Sequence, residues 1–580
     1  MLEYQMCCLE VPREHLQALL NTCEEQLIKL REHKTTLEAR RDTTRLAINE
    51  QLRPTLRPLK ILDLPDELLR HIFDYVRGET TMYKLFFFDF SQGDVAQVKN
   101  LRLTCRRFCD NSSHLLMVYV KVAMTPQSLA RLDEVSRHPT ISKGIRAIKI
   151  PLGRHFDAGI VHDIRAFAHY QASRLRGKIE TWERNVEHPM LMSFDDTPIE
   201  VYERAIDRAI VIAESWEDAA QNGLNENCPE HVLLNKAQEQ YQRCYESQVL
   251  LQRGAFAQAV VNAMTRMPTA TWLSIVDEDI RSWRGPERKL ENVFPEDLED
   301  PDSLQLKLQA PVFSWAMARY QGLMSPPIDM IPSILLSIGN AGICLKGIDI
   351  LIPPPIDLSS FSTTEIEHPK LRATSQKLQA FTFSPRRAEA LPMDTSNLLS
   401  GFLSTILDTS ALQRIDLGFD FQYKDSDGLQ PTFSMAPILL SRTWPNLKEL
   451  SFNGPFYFEE LQKVVNRIGK DVDLKWSGYL MDASWAEVLD FLQGRVSYNA
   501  RLGDVNGSIA GAECEDMTRE EINFIFQEEI NIWSGSRATK FIRGWTKTNP
   551  VRDWENGELA MPGIITEDRN DEDDEPIAND

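Results

Sequence analysis

Two groupings of side chains in this sequence have the types and spacing to do chemistry. Cys105-x3-Cys109 sets two thiols four residues apart, on one side of a helix, with His114 five residues further on. Two thiolates and an imidazole are zinc or redox ligands, but a structural zinc needs four donors and this set ends at a doubtful third. Gly339-Asn340-Ala341-Gly342 is the nearest approach to a glycine-rich phosphate loop. It precedes a strand-like run instead of following one, so a turn is expected there. There is no His-Glu-x-x-His, no Gly-x-x-x-x-Gly-Lys-Ser/Thr and no Gly-x-Ser-x-Gly, and neither a catalytic residue, a metal nor a cofactor is expected.

Stepping outward from Cys105, the helix expected to carry it reads Val98-Lys99-Asn100-Leu101-Arg102-Leu103-Thr104-Cys105-Arg106-Arg107-Phe108, with Val98, Leu101, Cys105 and Phe108 on one stripe. Before it stands Leu64-Pro65-Asp66-Glu67-Leu68-Leu69-Arg70-His71-Ile72-Phe73-Asp74-Tyr75-Val76. Its apolar residues at 65, 68, 69, 72, 73 and 76 make one wide helical face. Pro65 suits the first helical position, and Asp66 and Glu67 complement the helix dipole. Two such short helices cannot build a core alone, so their apolar faces are covered either by an outside protein or by the rest of this chain.

These two stretches resemble the F-box, a three-helix module that plugs a protein into the Skp adaptor of SCF-type cullin-RING ubiquitin ligases. The match lies in the leucine-proline opening, the acidic pair, the aliphatic pair, the isoleucine-phenylalanine step and the later Leu-Arg-Leu-x-Cys-Arg-Arg-Phe run; the segment 77–97 between them, with Leu85-Phe86-Phe87-Phe88, is longer than the usual turn. The resemblance implies adaptor binding, and through the adaptor cullin, by Leu64, Pro65, Leu68, Leu69, Ile72, Phe73, Val76, Leu101, Cys105 and Phe108. It covers about residues 60–122.

The rest of the chain follows a different period. Ile145-x-x-Ile148-x-Ile150 opens a series continued by Ala270-x-x-Leu273-x-Ile275, Leu345-x-x-Ile348-x-Ile350, Leu378-x-x-Phe381-x-Phe383, Leu412-x-x-Ile415-x-Leu417 and Leu447-x-x-Leu450-x-Phe452, with a weaker Val472-x-Leu474-x-Trp476 after it. Helical spacing intervenes at Leu398 to Leu407, Leu461 to Ile468 and Trp485 to Leu492, the last opened by the capping box Ser484-x-x-Glu487. Strand and helix units in alternation favour a solenoid, because each unit leaves an apolar face that only its neighbours can cover. The units are similar to irregular leucine-rich repeats. The alternative, a doubly wound parallel sheet, requires strands paired out of chain order.

The expected architecture is therefore α/β: a long amphipathic helix or coiled coil over 1–56, the F-box-like helical module over 60–122, and an irregular leucine-rich-repeat-like solenoid over 140–500 with a helical insertion over 156–264. A C-terminal helical cap over 501–550, opened by Thr518-x-x-Glu521, and an acidic disordered tail over 551–580 follow. In the first segment a helix is expected from Pro12 to residue 52. Leu16, Cys23, Leu30 and Leu37 lie seven apart, and Leu20 and Leu27 fill the alternate seam positions before Lys34 and Arg41 interrupt them. A homodimer through this seam and a single helix folded against the body are the two readings.

In leucine-rich repeats the residues alternating with the core along each strand face the concave surface. By that likeness Asp349, Thr382, Ser384, Asp416, Ser451 and Asn453 are candidates to contact a protein substrate. The net charge of −21 argues against nucleic acid and anionic membrane as partners; eleven acids and two arginines in 551–580 supply nearly half of it. Nine scattered cysteines fit a reducing compartment, no signal peptide is evident, and the most apolar stretch, Ile331 to Leu345, is too short to span a bilayer. A soluble protein of the cytoplasm or nucleus is expected. Its work would be substrate recognition for a ubiquitin ligase without bond-making chemistry of its own, or, as the alternative, scaffolding outside the ligase.

Overall fold

The computed structural model describes residues 2–52, 60–77, 92–152, 156–187, 199–276, 293–310, 328–352, 361–388, 393–421, 435–454, 456–477, 483–496, 501–502, 519–526 and 536–558. The chain forms two compact units, Met1–Val76 and Arg77–Asp580. The fold is mixed α/β, mostly helical, with a parallel sheet.

In the first unit one helix runs Leu2–Leu52. It starts ten residues before Pro12, so the proline lies inside it and does not open it. Leu, Glu, Gln and Met before residue 12 are good helix formers, and together they carry the helix through a residue whose interior cost is about 3 kcal/mol. A 3-10 turn Ile61–Asp63 and the helix Asp66–Arg77 follow.

The second unit is built on a sheet whose strands are β1 (Tyr119–Lys121), β2 (Ala147–Pro151), β3 (Trp272–Val276), β4 (Gly347–Ile352), β5 (Ala380–Ala388), β6 (Arg414–Gly418), β7 (Asp420–Phe421), β8 (Glu449–Asn453), β9 (Asp473–Ser477) and β10 (Arg501–Leu502). Each is parallel to its neighbours in strict chain order, β7 alone lying off the path against the end of β5. The register explains the sequence pattern. Ile148, Leu273, Ile348, Phe381, Ile415, Leu450 and Leu474 are Cα partners in succession, and so are Ile150, Ile275, Ile350, Phe383, Leu417, Phe452 and Trp476. Each recurring pair of apolar positions thus adds one rung to two buried ladders, with the helix residues of the intervening units in the same core.

Those helices end as the sequence indicated. Phe458–Ile468 stops at Gly469, and Ser484 Oγ accepts the Glu487 N–H at 3.0 Å at the start of Trp485–Leu492. Gly339 and Asn340 close the helix Met330–Asn340; Gly342, at φ +69°, sits in the left-handed region while Ile343 N–H reaches back to the Ile338 carbonyl. This glycine takes the left-handed position just past the Ala341 cap, where a side chain would be strained.

Three expected boundaries move. Residues 119–121, assigned to the helical module, are a strand, because Val120 pairs with Ile148 and extends the sheet by one rung. Arg501–Leu502, assigned to the helical cap, also pairs with the sheet, at Lys475 and Trp476. The insertion has a separate apolar core made by Ile164–Glu187, Ile199–Asn222 and Pro229–Leu250, and this core recruits Val293, Leu298, Leu304 and Leu308 from beyond β3. Phe256–Arg266, placed within the insertion, packs instead into the sheet core, since Phe256, Val260, Val261 and Met264 need the apolar face that β2 and β3 present.

At the far end, Ile522, Ile525, Phe526, Ala538, Phe541, Ile542 and Val551 complete the core beside the last strands, and Asn549 donates to the Ala486 carbonyl and to Asp490 at 2.8 Å each. A fourth expected boundary therefore moves: the tail expected over 551–580 does not begin at 551, since Pro550–Glu555 is a helix with Val551 buried in the core; Thr518 and residues 559–580 lie outside the described residues.

Gly144 shows how closely the turn after the Arg106–Ser112 helix meets the turn before β2. A Cβ on it would stand 1.6 Å from the His114 carbonyl oxygen, which is backbone and cannot rotate away. Gly144→Ala is expected to destabilise the second unit by about 3 kcal/mol or more, because relief requires moving two packed turns. Chemical denaturation would read it, and a midpoint equal to wild type would show that the turns separate freely.

Candidate functional site

The exposed face of the Asp66–Arg77 helix is the first candidate. Its first helical bond runs from Leu69 N–H to the Pro65 carbonyl at 3.1 Å, so Pro65 is the N-cap and not the first helical residue. At about 100° per residue, Leu69 and Phe73 share one narrow stripe, and Pro65, Leu68, Ile72, Tyr75 and Val76 share the stripe beside it. Leu69 and Phe73 are buried, whereas Leu68 is 49%, Ile72 37%, Tyr75 88% and Val76 37% exposed. Pro65 is exposed and Leu64 half-buried, and the turn before the helix adds exposed Ile61 and Leu62.

The ten residues named for adaptor binding therefore divide. Leu69, Phe73 and Phe108 are buried, Leu64, Leu101 and Cys105 half-buried, and Pro65, Leu68, Ile72 and Val76 lie open. Ile61, Leu62 and Tyr75 belong with the open set and were missed; for Tyr75 the three-four spacing through 65, 68, 72 and 75 was readable, whereas Ile61 and Leu62 stand in a separate turn that helical spacing does not reach. A contiguous apolar stripe on a soluble surface is a binding feature more often than an accident.

Residues 98–108 do not form one helix. Gln92–Thr104 ends before Cys105, which is extended at φ −163° and ψ 165°, and Arg106–Ser112 begins anew. Beyond the break Phe108, Asn111 and Ser112 are buried. Cys105 thereby becomes the N-cap of the second helix, its carbonyl accepting the Cys109 N–H at 2.9 Å. Cys109 lies 3.7 Å from Ser113 Oγ, and among the described residues no group of three His, Cys, Asp or Glu side chains could hold a metal ion.

The second candidate is the sheet face opposite the two ladders. Asp349, Thr382, Asp416 and Ser451 are Cα partners along one row, with Ser384 and Asn453 in the next. Asp349 is only 3% exposed and accepts a hydrogen bond from Ser274 at 3.0 Å; Thr382 is buried as well. Both side chains are therefore covered by the fold and not open on a concave surface. The row is covered there, since Val276 and Leu351 on the same face are also buried.

Asp416, Ser451, Ser384 and Asn453 are half-exposed. Around Asp416 the row before it supplies charges the sequence reading passed over: Arg414 Nη2 lies 3.8 Å from Asp416 and 3.5 Å from Glu449, which also pairs with Lys475 at 2.5 Å. All of them sit two residues from, or directly across from, a nominated position, so strand alternation would have found them.

Burial raises the Asp416 carboxyl above its ordinary value of 3.8; Arg414 and the Ser451 hydroxyl act the other way, and Glu449 adds to the rise. A raised carboxylate costs folding stability once both states are ionised, and the cost disappears as pH falls through the raised value. Asp416→Asn is thus expected to melt above wild type at pH 7, with the gap closing toward acid pH. A lower melting temperature for the variant at pH 7 would mean that the ion pairs outweigh the burial cost.

Among the described residues, no helix is long and apolar enough to cross a membrane. No protein-family profile, curated protein or solved structure matches this chain.

Proposed function

We propose that this chain is a substrate-receptor subunit of an SCF-type cullin-RING ubiquitin ligase. Its F-box-like segment would bind the Skp adaptor, and its parallel-sheet region, read as an irregular leucine-rich-repeat-like solenoid, would hold a protein substrate. The observation that carries the reading is the stripe of Leu68, Ile72, Tyr75 and Val76, which stays exposed on a helix whose neighbouring stripe, Leu69 and Phe73, is buried. The strict chain order of parallel strands supports the solenoid, because a doubly wound sheet reverses its order at a switch point. Such a receptor acts by proximity: it raises the effective concentration of a target lysine near a charged conjugating enzyme and breaks no bond itself.

The test is reconstitution with purified adaptor and cullin. A stoichiometric complex on size exclusion, together with slower turnover of a co-purifying protein when the chain is depleted from cells, is the expected result. Failure to bind the adaptor at tens of micromolar overturns the ligase reading.

A further inference from the structure

The helix Leu2–Leu52 carries an apolar seam and a lengthwise charge asymmetry, and together these define a partner. Its seam positions, alternating by three and four, are Leu16, Leu20, Cys23, Leu27, Leu30, Lys34, Leu37, Arg41, Thr44 and Ile48. Leu27, Leu30 and Leu37 are 51%, 66% and 52% exposed, and Ile48 is exposed too. At 1.5 Å per residue the helix is about 75 Å long, several heptads more than a two-stranded coil needs.

The charges are not spread evenly. Residues 1–27 hold five glutamates against one arginine, whereas 28–52 hold six lysines and arginines against four acids. One half of the helix is therefore acidic and the other basic. We infer that the occupant of this seam is the same helix of a second copy, running antiparallel.

A parallel pair would set Lys34 against Lys34 and Arg41 against Arg41 in the seam, and would lay the acidic half on the acidic half. Reversing one helix removes both conflicts and opposes the two macrodipoles. With the crossing point between Leu27 and Leu30, leucine meets leucine in four layers: Leu20 with Leu37, Leu27 with Leu30, and their reciprocals. By sequence register, position 34 then falls level with 23 of the other copy, one position before the 24–25 acidic pair, and position 41 falls level with 16, within the acidic half. The basic seam residues then specify direction, at some expense of stability. This inference is independent of the ligase reading.

The full chain is tested by sedimentation equilibrium. A mass of twice 66.5 kDa is expected, and the Leu27→Asp, Leu30→Asp variant is expected to shift the dimer-monomer equilibrium at least a hundredfold toward monomer at unchanged helicity and melting temperature. Wild type that stays monomeric up to 50 µM, or a variant that still dimerises as tightly, overturns the proposal. Direction is read by mild oxidation of Lys34→Cys with mapping of the joined peptides. A bond between positions 23 and 34 of different copies is expected, absent in Lys34→Cys, Cys23→Ser; a bond joining Cys23 to Cys23 overturns the antiparallel arrangement.

Discussion

Replacing Leu68 and Ile72 together by aspartate is expected to abolish capture of the Skp adaptor while leaving the melting temperature of the chain within a degree or two of wild type. Both side chains are substantially exposed, at 49% and 37%, so the free protein loses little packing. In a complex each would be buried, where a large aliphatic side chain contributes about 1.5–3 kcal/mol. The pair therefore stands for roughly 3–6 kcal/mol, or about a hundredfold to ten-thousandfold in affinity, before the added cost of desolvating two carboxylates. The control is Leu69→Ala, Phe73→Ala. Both of these residues are buried, and their loss should lower stability and capture together. Adaptor titration beside thermal melts distinguishes the cases. If the aspartate pair binds as tightly as wild type, the open stripe is not the docking surface.

The second large effect is expected at Phe383. Its ring is buried on the second ladder, 6.0 Å edge-on from Phe361 and 5.8 Å from Phe419, with Phe402 beyond Phe361 at 5.1 Å. Phe383→Ala should destabilise the second unit by about 3–5 kcal/mol, since it removes transfer free energy and leaves a cavity that flanking strands cannot close without breaking register. Against a total stability of about 5–15 kcal/mol for an ordinary domain, that is a large fraction. Phe383→Leu, which keeps most of the volume, should lose less than half as much. Denaturant midpoints measure both, and equal losses would mean that ring contacts matter more than filled space.

The two substitutions differ because one ladder of residues solves a problem inside the chain and the other stripe leaves a problem open. Phe383 is covered by neighbouring units. Leu68 and Ile72 sit on a helix too short to turn all its apolar surface inward, and adjacent positions 100° apart receive opposite fates.

How much of this was legible in the residues can be read from particular elements. The spacing apolar-x-x-apolar-x-apolar located six strands and the plainer alternation Val472-x-Leu474-x-Trp476 a seventh, because side chains that must point to one face of a parallel sheet recur at period two whatever surrounds them. The short strands β1, β7 and β10 were not legible: two or three residues hold no period, and only a neighbouring strand makes them extended. The break at Cys105 was equally hidden, since every residue from Val98 to Phe108 tolerates a helix and only packing asks for a change of direction.

What the linear chain determined by itself is periodicity, and hence which faces are apolar, where the Phe458–Ile468 helix stops at Gly469, and the charge asymmetry of the Leu2–Leu52 helix. What only the tertiary structure decided is which apolar or polar faces are used up. Asp349 and Asp416 occupy equivalent row positions, yet the first is sealed under the fold and the second borders solvent. Leu68 and Leu69 are the same residue type side by side, one open and one closed. Coverage depends on atoms distant in the chain, and a local pattern sets the direction of a side chain without specifying what lies above it.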